Sequence, residues 1–161
     1  MKNTLASLQN KFTFKKPVCS LMDIGTSVAA LSIKRGTIFH STIFEDIDHG
    51  KFFVVIGEDD RCLVGFFFIN SWVSNYIQNK PEMERLQIPI SYENYGFLSH
   101  NSYLNCSSLT TIDKTKLADS IASGVTTIKG YLSESDLSSI LEKVRASKLY
   151  TSLERETFFA I

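Results

Sequence analysis

The chain has 161 residues, and its 17 Lys and Arg balance 17 Asp and Glu. That length points to one domain with room for a small satellite, and 43% hydrophobic residues suffice for a core. Zero net charge excludes a general pull toward nucleic acid, so any such contact must come from a local patch. The three cysteines, Cys19, Cys62 and Cys106, are odd in number and contain no CxxC pair. They point to free thiols in a reducing compartment and away from a disulfide framework or zinc site. The most apolar run, Leu63 to Ile69, is too short to span a bilayer, and no apolar run follows the basic N-terminus. The expectation is a soluble, cytoplasmic protein with no membrane segment, metal or cofactor.

Residues 1–33 read as an N-terminal extension. Leu5, Leu8 and Phe12 have the spacing of a short amphipathic helix over 3–11. Pro17 and Gly25 interrupt the rest of the extension, and Ala29, Ala30 and Leu31 fit either type of element. From residue 34 the pattern turns to strands: "GTIFHSTIF", then "KFFVVIGED", then "CLVGFFFINS", with "GEDDR" as a hairpin turn. Alternation is lost in the two apolar runs, which implies cover on both faces. "SWVSNYIQNKPEMERL" reads as a loop with a helical turn stopped by Pro81. The strand around Pro89 belongs at an edge or bulge. In "NSYLNCSSL", Tyr103, Asn105 and Ser107 share one face and Leu104, Cys106 and Ser108 the other. A helix comes next, capped by Asp113 or Thr115.

The clearest helix is 134–146. Ser133 is the N-cap, Asp136 stands three residues on, and Leu137, Ile140, Leu141 and Val144 form one stripe. The sum is five or six short strands and then two helices. Strands of this kind close as a small barrel, because closure removes exposed edges.

From about residue 34 to 146 this order of motifs resembles the MazF/PemK family of bacterial toxins. "KRGTIF" stands where the family opens with a basic-Arg-Gly strand, and "GKFFVVI" where it has Gly-x-Arg-Pro-Val-Val-Ile. "YGF", "NS" and "TIDKTKLADSI" follow the family's Tyr-Gly-Phe, Asp-Ser and Thr-Ile-Asp-Lys run, and "GYLSESDLSSILEKV" its terminal helix. The resemblance implies a mainly β fold with C-terminal helices, a small SH3-like barrel of the MazF/PemK/CcdB kind, over residues 34–161. It also implies a homodimer, metal-independent cleavage of single-stranded RNA through attack of the ribose 2′-oxygen, and an antitoxin partner with a disordered tail.

Such chemistry needs a base, an acid and donors for the charged phosphorane. The family's arginine corresponds to Phe52, with Lys51 beside it. A one-residue step on a strand reverses the face, so Lys51 replaces the arginine only through a bulge or a curled stem. Asn70 and Ser71 match the family's Thr or Ser. Asn105 and Ser107 stand where some members carry Arg and Asp, so most of the charged apparatus is missing. This departure argues against ordinary family ribonuclease chemistry. His49, before Gly50, is either a general base or a solvated loop histidine; His40 and His100 are structural or exposed.

The resulting catalytic set is Lys51, Ser71 and His49, and the RNA-binding set is Trp72, Asn70, Asn105 and Ser107. Trp72 and Tyr76 either stack unpaired bases or cover the barrel end. The ending Phe159, Ala160, Ile161 resembles that of the CcdB gyrase poisons, against which stands a tail tucked on its own barrel or in a dimer contact. Two functions are open: an RNA-cleaving toxin, or a non-catalytic protein-binding module on the same fold (a degenerate toxin or a CcdB-like target binder).

Overall fold

A computed structural model describes residues 22–45 and 47–160. The helix expected over 3–11 and the terminal Ile161 lie outside the described residues. Helix α1 (Ile24–Ala30) starts at Asp23, whose carboxylate accepts the Thr26 N–H at 2.8 Å. Strands β1 (Thr37–Ser41), β2 (Lys51–Glu58) and β3 (Leu63–Asn70) form an antiparallel meander. In the β2–β3 turn the Asp59 carboxylate accepts the N–H groups of Arg61 and Leu63, at 2.9 and 2.7 Å. This gives the acidic turn a local role, that of shaping the hairpin.

Two one-turn helices come next, α2 (Asn75–Gln78) and α3 (Pro81–Glu84). The helical turn α2 ends before Pro81, as the sequence implied, but Pro81 also begins a second one. It opens α3 at the first helical position, where its missing N–H costs no hydrogen bond. Then come β4 (Gln87–Ile90), β5 (Ser102–Asn105) and β6 (Thr110–Asp113). Helix α4 (Lys114–Ala122) is capped by Asp113, which accepts the Lys116 N–H at 3.0 Å. After β7 (Thr126–Tyr131) come α5 (Glu134–Ala146), capped by Ser133, and α6 (Ser152–Phe158), with a Thr151–Glu154 capping box.

The seven strands form one antiparallel sheet in the order β4-β5-β3-β2-β1-β7, with β6 also on β3. Strand β3 is shared: Leu63 to Phe66 pair with β6, while Ile69 and Asn70 pair with β5. No pairing joins β4 to β7 among the described residues, so the hydrogen-bonded ladder is open. This corrects the expected closed barrel. Ile88, Ile90 and Tyr95 instead border a small cavity together with Leu132, Asp136 and Ile140. Pro89 sits on the edge strand β4, where its missing N–H breaks no ladder bond.

Each face of the sheet carries its own core, as the loss of alternation implied. Val54, Ile56, Phe67, Ile69 and Leu104 pack with Ile140, Leu141 and Val144 of α5. Phe39, Phe53, Val55, Val64 and Phe66 pack on the other side with Ile33 and with Leu117 and Ala118 of α4. Helix α1 docks on α4, where the Thr26 hydroxyl donates to Asp119 at 2.6 Å. The chain end turns inward. Phe159 is fully buried against Phe67 and Tyr150, and Arg35 donates to the carbonyls of Ile56, Phe158 and Ala160.

Two further expectations change. Cys62 is disulfide-bonded, so three free thiols are not present and the cysteines do not indicate a reducing compartment. Cys106 is free and buried, and burial raises its thiol pKa well above the usual range. No helix among the described residues is long and apolar enough to cross a membrane.

Candidate functional site

The site is set by the β2–β3 register. Phe53 faces Phe68 and Phe52 faces Ile69, which brings Lys51 and Asn70 level at the end of the ladder. Lys51 Nζ donates to Asn70 Oδ1 at 2.6 Å. Lys51 is half-buried, and desolvation lowers its pKa below the ordinary lysine value. Its ammonium lies 5.9 Å from the centroid of the Phe68 ring.

Phe52, the position matched to the family's arginine, turns the other way. Its ring lies 5.2 Å from that of Phe97 and 4.8 Å from that of His40. The irregularity in the ladder falls between Val55 and Gly57, so the bulge that would bring Lys51 to the face of Phe52 is not there. Lys51 therefore lies on the opposite face of the sheet from Phe52. His40 packs over Gly50, where a Cβ would come within 2.2 Å of the imidazole. Burial, and then the charge of Lys129, lowers its pKa.

Asn105 reaches the same place from β5. Asn70 pairs with Tyr103, so Tyr103 and Asn105, two residues apart, share the face of Asn70. Asn105 Oδ1 accepts from Gln87 Nε2 at 2.8 Å, from the Ser107 hydroxyl at 2.6 Å and from the Ser107 N–H at 3.2 Å.

Six of the seven expected residues therefore meet. His49, Lys51, Asn70, Ser71, Trp72 and Asn105 line one cleft of about 350 Å³ with Ser74 and Ile77. Ser107 does not line it, but its hydroxyl and N–H both donate to Asn105 Oδ1. Trp72 is 74% exposed and Tyr76 is also exposed, with Lys80 Nζ 3.2 Å from the Tyr76 ring centroid. Neither aromatic covers the end of the sheet.

Outside the cleft, His100 bonds its neighbour Ser99, and Lys114 pairs with Glu58 at 2.6 Å. No group of three metal-ligating side chains occurs among the described residues. Gln87, Ser74 and Ile77 carry no sequence signal that marks them for the site. Only the Gln87–Asn105 pairing of β4 with β5 would have named the first, and that register is not local.

No protein-family model matches the chain, and no curated protein matches it. The cleft must be read from its own groups. It offers one ammonium, one imidazole, two hydroxyls, two carboxamides and an exposed indole, and no carboxylate among the described residues lines it. Such a lining suits an anionic ligand that also carries a flat face.

Proposed function

We propose that the protein is a MazF/PemK-like toxin of a toxin–antitoxin pair, a cytoplasmic homodimer on an SH3-like variant of this fold that cleaves single-stranded RNA without a metal. The observation that carries this reading is the half-buried Lys51 ammonium, held by Asn70 on the floor of a cleft shared with His49, Ser71 and Trp72. His49 removes the proton of the ribose 2′-hydroxyl. The 2′-oxygen bonds to phosphorus, and the bond from phosphorus to the 5′-oxygen breaks. Lys51 faces the developing phosphorane charge and gives a proton to the leaving 5′-oxygen, while Ser71 donates to a non-bridging oxygen. A cyclic phosphate and a 5′-hydroxyl result. An antitoxin tail would occupy the same cleft.

Incubation with several single-stranded RNAs in the absence of divalent metal tests this. Cyclic-phosphate ends on the products are the expected result. Intact RNA after prolonged incubation, together with tight binding to a protein encoded beside it, overturns it.

A second reading has its own observation. Phe52, which replaces the family's arginine, is committed to the core against Phe97. A cleft without that arginine suits a non-catalytic module that holds a protein partner.

A further inference from the structure

Two side-chain amides in the cleft have fixed orientations. Asn70 receives a bond from Lys51 Nζ, and an ammonium has only donors, so the atom facing it must be the amide oxygen. Asn105 receives a bond from the Ser107 backbone N–H, again a donor only, so the same logic holds. Gln87 Nε2 and the Ser107 hydroxyl converge on that same oxygen. The Asn105 oxygen is therefore fully used within the fold, and the Asn70 oxygen is turned toward Lys51 with one lone pair left. Neither Asn Nδ2 donates to any partner among the described residues, and Lys51 has two N–H groups beyond the one on Asn70. All three side chains line the cleft, and no Asp or Glu among the described residues does.

The wall thus offers a bound molecule three donors of fixed polarity. The Ser71 and Ser74 hydroxyls rotate and satisfy either kind of partner. Exposed Trp72 supplies a flat face at the rim for an unpaired base. Uracil and guanine present an exocyclic oxygen where cytosine and adenine present an amino group. An oxo group accepts from this wall. An amino group meets N–H with N–H at these three groups, which then stay unsatisfied even where a serine hydroxyl accepts from it.

We propose that Lys51, Asn70 and Asn105 make the cleft a subsite selective for oxo bases, taking uracil over cytosine and guanine over adenine. This rests on the RNA reading above and adds a base preference to it.

The test uses the full chain and fluorescein-labelled 2′-fluoro octamers of uridine and of cytidine, which lack the attacking hydroxyl. Binding is followed by anisotropy at one salt concentration. The uridine octamer should bind at least about fivefold more tightly, the lower bound for a well-placed pair of base contacts. Asn70→Ala should bring the ratio toward one, with a melting curve confirming that the variant is folded. Should it not fold, the wild-type ratio decides alone, supported by the same comparison between inosine and adenosine octamers. Equal affinities, or tighter binding of cytidine, overturn the base preference and leave RNA binding standing. Absence of binding to every octamer overturns both.

Discussion

Tyr95 and Asp136 are joined across the open side of the sheet. The phenol donates to Asp136 Oδ2 at 2.5 Å and accepts the Ser133 N–H at 3.3 Å. Burial, and then the Asp136 hydrogen bond, raises the phenol pKa. Because Tyr95 follows β4 and Asp136 lies in the first turn of α5, this contact does part of what strand pairing would do in a closed barrel. Tyr95→Phe should therefore destabilise the fold by about 1–2 kcal/mol, the usual cost of losing a partner for such groups. Urea denaturation measures it, and a loss of zero would mean that the seam is held by apolar packing alone.

The buried chain end predicts a contrast between two positions close in sequence. Phe159→Ala removes a fully buried ring from contact with Phe67 and Tyr150 and should cost about 3–5 kcal/mol. Leu153→Ala changes a side chain that is 73% exposed and should stay within about 0.5 kcal/mol. Chemical denaturation of the two variants side by side makes the comparison. Equal effects would mean that Phe159 is free. That outcome would also reopen the CcdB-like ending, which a ring in the core cannot serve.

How much of the fold is readable from sequence depends on range along the chain. Helix α5 is legible because its cap and apolar stripe both lie within one segment, Ser133 to Val144. Strand β7 is not, since Thr-Thr-Ile-Lys-Gly-Tyr offers one aliphatic side chain on an exposed edge and no clear period. Helix α6 escapes notice although Thr151 and Glu154 form its capping box, because a seven-residue helix carries too little stripe to separate it from a tail. The open ladder and the Gln87–Asn105 contact arise from pairings far apart in sequence, which local pattern does not encode. Lys51 and Asn70 come together because the short β2–β3 turn sets them level on neighbouring strands.

Gly57 is a position where a side chain has no room. A Cβ there would lie 2.4 Å from the Phe158 carbonyl oxygen, and backbone cannot swing aside as a side-chain end does. Gly57→Ala should destabilise by about 1–3 kcal/mol, as overpacking does. Gly96→Ala meets nothing within 4 Å and should be neutral, or stabilising by up to about 1 kcal/mol through the unfolded state. Paired thermal melts compare the two. A neutral Gly57→Ala would show that the chain end does not rest on β2.

Trp72 separates binding from folding. Its exposure means that Trp72→Ala should leave the melting temperature unchanged. On the proposed function it should weaken single-stranded RNA binding by about 1–3 kcal/mol, the range for one lost base stack. Unchanged affinity would remove the indole from the site, and a lowered melting temperature would show that it packs after all.

Lys51 links stability to pH and to chemistry. The folded state lowers its pKa by desolvation, whereas the unfolded chain holds its proton up to the ordinary lysine value. Between those two values the unfolded chain binds more protons, so stability rises as pH climbs through that window. The difference between wild type and Lys51→Met should therefore move in favour of wild type as pH approaches 10.5, the ordinary lysine value. On the proposed function, RNA cleavage should move the other way, because loss of the ammonium would remove both the charge facing the phosphorane and the proton for the leaving oxygen. Lys51→Arg keeps its charge across the range and should flatten that alkaline fall in whatever activity it retains. Lys51→Ala should abolish cleavage and growth arrest together. Full activity in that variant would take Lys51 out of the mechanism, and the cleft would then have to be read as a binding surface.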